Sequence, residues 1–346
     1  MIFEQFSVGG CRSYLVGCQE SCVAALIDPE ISLIDRYLAL AARDGLRIRY
    51  LVDTHTHADH FSATLELARK LQVPVAMHRM SPAPFVTLAL DDGEMLAVGK
   101  LRLQVMHTPG HTRDSMCLCV EDRVLTGDTL LIGATGRTDL PTGDPGMLHE
   151  SLFGRLLRLD PDTKVHPAHE YKDRDHTTIG RELAENPRLQ VRDRTAFIEL
   201  MCNLDLKMPT HITEALRTNL SGGKTVAQML SEAAAHVPFM SLAELNSRNA
   251  ASPDGLLILD VRERDAYAAA HIPGAKSLPR GQLELRVNEE LPDPTLRIVA
   301  CCEFGRISTL ATATLREMGF LRAVALDGGM RAWREAGYPV RSGPDP

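Results

Sequence analysis

The sequence predicts an α/β chain folded as two domains, and three observations carry that expectation. A length of 346 residues with 44% hydrophobic composition supports two full-sized cores. Short apolar runs in the first half end repeatedly in glycine- or proline-marked turns that hold histidine or aspartate. Near the C-terminus a strand-like run passes through a short loop into a helical pattern, with a cysteine at the first position of the loop.

The apolar run Tyr50-Leu51-Val52 is followed almost at once by Thr54-His55-Thr56-His57-Ala58-Asp59-His60. Imidazole nitrogens and carboxylate oxygens are the ligands that borderline divalent metals accept, and a loop at a strand end lets several converge on one point. A solvated loop rich in histidine is the bland alternative, and the recurrence of ligand-type residues downstream counts against it. Residues 101 to 106 form a strand-like run leading to His111 in His107-Thr108-Pro109-Gly110-His111-Thr112. Residues 123 to 125 lead to Asp128 in Thr126-Gly127-Asp128-Thr129, and residues 164 to 165 to His169 in His166-Pro167-Ala168-His169-Glu170-Tyr171.

This order of motifs resembles the metallo-β-lactamase superfamily over about residues 1 to 219. The resemblance implies an αββα sandwich, two mixed sheets between helices, with a metal site at one edge. Within the superfamily, the stretch 126 to 144 resembles the persulfide dioxygenases, as do Asn186-Pro187-Arg188-Leu189 and Asn203-Leu204-Asp205-Leu206-Lys207-Met208-Pro209. That resemblance implies one Fe(II) per chain held by His55, His111 and Asp128, with His57, Asp59, His60 and His169 around them as orienting or proton-handling groups. It further implies oxidation of glutathione persulfide, or a similar small persulfide, by dioxygen and water to sulfite and thiol. The same seven residues also suit two zinc ions bridged by Asp128, as in a thioester hydrolase of the glyoxalase II type, so ligand inventory leaves iron and zinc open. Arg137 is either substrate-positioning or a solvated arginine. Tyr171 either donates a hydrogen bond to a bound thiolate or is structural.

In the second half, residues 297 to 301 read as a buried strand and 308 to 318 as a helix, with Cys302-Glu303-Phe304-Gly305-Arg306-Ile307 between them. Inward backbone amides and the helix N-terminus favour a thiolate at the loop's first position, so Cys302 is the candidate nucleophile, inert core packing being the alternative. The flanking segments are Leu257-Ile258-Leu259-Asp260-Val261-Arg262, His271-Ile272-Pro273-Gly274-Ala275 and Leu326-Asp327-Gly328-Gly329-Met330-Arg331-Ala332-Trp333. With the Cys302 loop they resemble a rhodanese domain over roughly residues 239 to 341. The resemblance implies a parallel sheet flanked by helices, in which Cys302 cycles between thiolate and persulfide and exchanges sulfane sulfur with thiosulfate, sulfite or glutathione. Gly305 and Arg306 belong to the loop that binds the donor. Glu303 stands where thiosulfate-using rhodaneses often carry a basic residue; its charge is expected to repel a dianion, with Arg306 compensating. Cys301 lies on the strand and should face the opposite side. Cys11, Cys18, Cys22, Cys117, Cys119 and Cys202 form no paired metal-knuckle pattern and read as reduced structural thiols.

The expected division is 1–219, a punctuated linker 220–238, and 239–346. A net charge of −7 with no basic run interleaved with aromatics argues against nucleic acid. Met1-Ile2-Phe3-Glu4 lacks the basic start and long apolar stretch of a secretory signal, and a cytoplasmic chain with no membrane partner is expected. A homodimer is the assembly left open.

Overall fold

Two six-stranded sheets stack face to face in the first half of the chain, in a computed structural model that describes residues 1–206, 212–251 and 256–343. Lys207, Met208 and Pro209 of the motif named above, and Thr210, lie outside the described residues. The chain divides into two units, Met1–Gly223 and Lys224–Pro346.

In the first unit one sheet runs in chain order through Ile2–Val8, Cys11–Cys18, Val23–Ile27, Arg47–Val52, Val75–His78 and Leu88–Leu90. The second sheet orders Thr177–Thr178, Lys164–Pro167, Arg123–Gly127, Met116–Val120, Leu101–His107 and Met95–Val98. Both mix parallel and antiparallel pairing, the second through the parallel pair Arg123–Gly127 with Lys164–Pro167. Leu101–His107 shows why a sheet forms here: Leu101, Leu103 and Val105 are buried while Arg102 and Gln104 are exposed, the period of a strand with one face in the core. Those inward residues meet Tyr14, Val16, Ala25 and Val52 of the facing sheet in one apolar layer. Helices Ile34–Arg43 and Thr64–Leu71 cover the outer face of the first sheet. Pro145–Gly154 and Arg194–Cys202 cover the outer face of the second, where fully buried Phe197 contributes about 2 to 3 kcal/mol. This is the αββα arrangement that the motif order implies.

The second unit holds a five-stranded, all-parallel sheet in the order Phe239–Met240, Val324–Leu326, Arg297–Cys301, Leu256–Asp260, Lys276–Ser277. The central strand Arg297–Cys301 is buried along Ile298 to Cys301, as a strand covered on both faces must be. Cys301 packs with Ile258, Tyr267 and Trp333 on one face and Cys302 with Leu283, Ala311 and Leu315 on the other, so the vicinal cysteines point apart. Residues 220 to 238 contribute the end of helix Ile212–Ser221 to the first unit. They contribute helix Val226–His236, started by a Thr225 and Gln228 capping box, to the second. No helix among the described residues is long and apolar enough to cross a membrane.

Candidate metal centre and nucleophile loop

At one edge of the sandwich, strands of both sheets end together. Arg47–Val52 leads to the loop holding His55, His57, Asp59 and His60; Leu101–His107 leads to His111, Arg123–Gly127 to Asp128, and Lys164–Pro167 to His169. Tyr14 ties the sheets beneath the site by donating to the Pro167 carbonyl at 2.6 Å. Gly127 turns the chain with φ +50°, and a side chain there would meet Thr54 Oγ1 at 2.5 Å, so the close approach of the two loops requires glycine.

His55, His111 and Asp128 are brought together, with ligand atoms all within 4.8 Å of one another. His111 Nε2 lies 3.6 Å and His55 Nε2 4.0 Å from Asp128 Oδ2. Ligand atoms sharing one ion at about 2.1 Å stand roughly 3 to 3.5 Å apart, so a small contraction closes the set on a metal. His55 Nε2 is buried with no hydrogen-bond partner, an orphan that a bound cation would satisfy. The other ring nitrogens are held from behind. His55 Nδ1 lies 3.0 Å from Thr54 Oγ1, and His111 Nδ1 meets the Arg137 carbonyl at 2.8 Å. Burial pushes the His55 pKa down to about 3, keeping the ring in the neutral form a ligand needs.

The remaining candidates behave differently. His169 Nδ1 bonds Asp128 Oδ1 at 2.6 Å and its Nε2 lies 2.7 Å from Asp59 Oδ2, while His60 Nδ1 bonds Asp59 Oδ1 at 3.2 Å. Burial opposes charge on His169, but Asp128 and Asp59 outweigh it and raise its pKa well above the ordinary histidine value. Burial alone would raise Asp128, yet the His169 charge and hydrogen bond hold it well below the usual carboxylate range. These groups therefore form a closed chain of opposite charges. His57 groups with Asp59 and His60, not with the triad, and its Nε2 bonds buried Asp28 at 3.1 Å.

Asp28 was invisible as a site residue in sequence. It accepts from Thr54 N at 2.7 Å and Thr54 Oγ1 at 2.9 Å besides contacting His57, so one carboxylate anchors the neighbours of two loop histidines. Asn219, on the last helix of this unit, clamps the same loop by donating to the carbonyls of His57 and His60 at 2.9 and 2.8 Å. Asp28→Ala leaves buried donors unmet at about 1 to 3 kcal/mol each. It should lower metal occupancy by about tenfold or more and reduce Tm, read by metal analysis and thermal melting.

Arg137 contributes its carbonyl to His111, while its guanidinium forms two bonds of 2.6 Å to Asp139. Tyr171 is 74% exposed, with its ring over Gly10 and parallel to His169 at 6.2 Å between centroids. It stands at the mouth of the site. Cys11, expected to be structural, instead lies with His60 and His169 in a group of potential ligand atoms.

In the second unit Cys302 begins the turn between strand Arg297–Cys301 and helix Arg306–Glu317. Gly305, at φ +81°, caps the helix, which starts at Arg306 rather than at 308 because the left-handed glycine completes the turn. Arg306 is exposed on its first turn. The Cys302 sulfur accepts the Ser308 amide at 3.2 Å and lies 3.3 Å from Ser308 Oγ. An amide aimed at the sulfur stabilises negative charge there.

The expected repulsion by Glu303 needs correction. Its carboxylate accepts from Arg262 at 3.0 Å and from Arg334, so two guanidinium groups already neutralise it. Neither partner is adjacent in sequence, which is why the loop alone suggests an unopposed charge.

Residues 7–169 match the metallo-beta-lactamase superfamily and residues 241–336 the rhodanese-like domain. "Persulfide dioxygenase ETHE1, mitochondrial" of Homo sapiens is 34% identical over 227 residues, covering 64% of this chain and 89% of that protein. The crystal structure of ETHE1 from Myxococcus xanthus matches with a TM-score of 0.63 at 38% identity, covering 65% of this chain and 100% of that one. A hydroxyacylglutathione hydrolase of Anaeromyxobacter dehalogenans is 44% identical over 151 residues, 43% of this chain and 57% of that relative's length.

Proposed function

The chain belongs to the metallo-beta-lactamase superfamily, as a homologue of persulfide dioxygenases with a rhodanese-like domain at its C-terminal end. On that premise we propose a bifunctional sulfur-metabolism enzyme. Its first unit oxidises glutathione persulfide, or a similar small persulfide, and its second transfers sulfane sulfur through Cys302.

One contrast carries the reading. His55, His111 and Asp128 turn ligand atoms toward one point, whereas Asp59, His60 and His169 engage theirs with each other and with Asp128. Three protein ligands suit a metal that must keep positions open, and two histidines with one carboxylate suit Fe(II). Bound there, Fe(II) supplies the open positions at which a persulfide anion and dioxygen react. In the overall change RSSH, O2 and H2O become RSH, sulfite and two protons, the terminal sulfur being oxidised and dioxygen reduced.

The chain's own groups do the positioning. Thr54 and the Arg137 carbonyl fix the two histidine rings, and Asp28 and Asn219 fix the loop. Asp59, with 26% of its side chain exposed, links His169 to solvent and provides a route for released protons. A cavity of about 180 Å³ lined by Thr56, Ala58, Met80, Thr112, Leu140 and Leu216 adjoins both ligand loops. It is smaller than the usual pocket for a whole small molecule and suits the cysteinyl portion of glutathione.

In the second unit the Cys302 thiolate attacks the outer sulfur of thiosulfate, forming an S–S bond and releasing sulfite. Glutathione then takes that sulfur, restoring the Cys302 thiolate and leaving glutathione persulfide. The product of one half is thereby the substrate of the other.

The hydrolase relative favours a second reading, two zinc ions and thioester hydrolysis. Metal analysis of anaerobically purified chain separates them. Close to one iron per chain with little zinc is expected, and two zinc ions per chain would favour the hydrolase.

A further inference from the structure

The geometry points to a separate thiophilic metal site beside the open triad, formed by Cys11, His60 and His169 with the Asp59 carboxylate as fourth ligand, suited to zinc. Ligand atoms of Cys11, His60 and His169 lie within 4.8 Å of one another, and so do those of Asp59 and His60 with His57 and of Asp59 and His169 with Asp128.

Three features distinguish this from a cysteine that merely happens to be near. First, Cys11 is clamped in place, because the hairpin tip that carries it is strapped to the His169 segment. Arg12 N donates to the Ala168 carbonyl at 2.7 Å and Glu170 N to the Gly10 carbonyl at 2.9 Å, one bond on either side of Cys11 and His169. Second, His60 is only 7% exposed and its Nε2 has no hydrogen-bond partner, although Nδ1 is satisfied by Asp59. A buried ring nitrogen left without a partner calls for a proton acceptor, a donor or a cation. Third, the donor set is chemically unlike the triad. One thiolate, two imidazoles and a carboxylate make a closed four-ligand zinc site, while His55, His111 and Asp128 leave positions open.

Asp128 is not needed as a ligand of this second ion, so the two sites can be filled independently. Zinc uptake releases the Cys11 thiol proton, and any proton carried by His60 or His169, to solvent. It also replaces the ring cation of His169 that faces Asp128 with a metal cation held slightly farther away. Zinc availability would then tune the charge felt by the oxygenase site without entering it.

The test is a titration of the full chain, freed of metal by chelation, with Co(II), whose bond to a thiolate gives a near-ultraviolet charge-transfer band that bonds to nitrogen and oxygen do not. The expected result is two equivalents bound, with the band rising with the second. Cys11→Ser should abolish the band and weaken the second equivalent by more than about tenfold, while the first binds as in the wild type. No thiolate band in the wild type, or an undiminished band in Cys11→Ser, overturns the proposal. Should Cys11→Ser lose both equivalents, His60→Ala decides: loss of the band supports the site and its retention refutes it. Persulfide-dependent oxygen uptake of the iron-loaded chain reports separately on the dioxygenase reading, so either conclusion can fail alone.

Discussion

Replacing His111 by alanine is expected to strip most of the iron and to lower persulfide-dependent oxygen uptake by more than about a hundredfold. That is beyond the loss usual for a group that merely orients a ligand. The reason is positional: His111 Nε2 faces Asp128 Oδ2 at 3.6 Å while its other nitrogen is fixed by the Arg137 carbonyl, so no neighbouring ring can rotate into its place. His60→Ala should leave iron largely bound, because His60 is tied to Asp59 outside the triad. Anaerobic reconstitution followed by metal analysis reads both variants. If His60 proved as necessary for iron as His111, a dinuclear centre would be the better account.

Cys302→Ser should separate the two activities. Serine keeps the shape of the turn, but its hydroxyl is barely ionised and cannot carry sulfane sulfur, so thiosulfate sulfurtransferase activity should fall by at least about a thousandfold. Oxygen uptake with added glutathione persulfide should stay near wild type. Uptake driven by thiosulfate plus glutathione, which needs the rhodanese half to make the persulfide, should vanish. Cys301→Ser should spare both assays: Cys301 is fully buried on the opposite face, where burial and then Asp260 raise its pKa well above the ordinary thiol value. Transfer retained in Cys302→Ser and lost in Cys301→Ser would move the nucleophile by one residue.

Much of this architecture is legible in the residues because metal ligands and turn glycines are local signals. His55 to His60 announce themselves within one loop, and Gly305 before a helical pattern marks the Cys302 turn. What escapes is long range. Asp28 reaches Thr54 across 26 positions and Asn219 reaches His57 across 162, and neither residue type is unusual where it stands. Arg262 and Arg334 neutralise Glu303 from separate elements, so the loop alone misstates its own charge. Cys11 sits in an ordinary hairpin, and only the backbone straps to residues 168 and 170 bring it to His169.

The central claim, that the first unit is an iron-dependent persulfide dioxygenase, is tested most directly by following oxygen and sulfite together. Anaerobically purified, iron-loaded chain is mixed with glutathione persulfide in air-saturated buffer. The account predicts one dioxygen consumed per sulfite formed, with glutathione released in equal amount. No oxygen uptake, alongside rapid hydrolysis of an S-acylglutathione by the zinc-loaded chain, would contradict it.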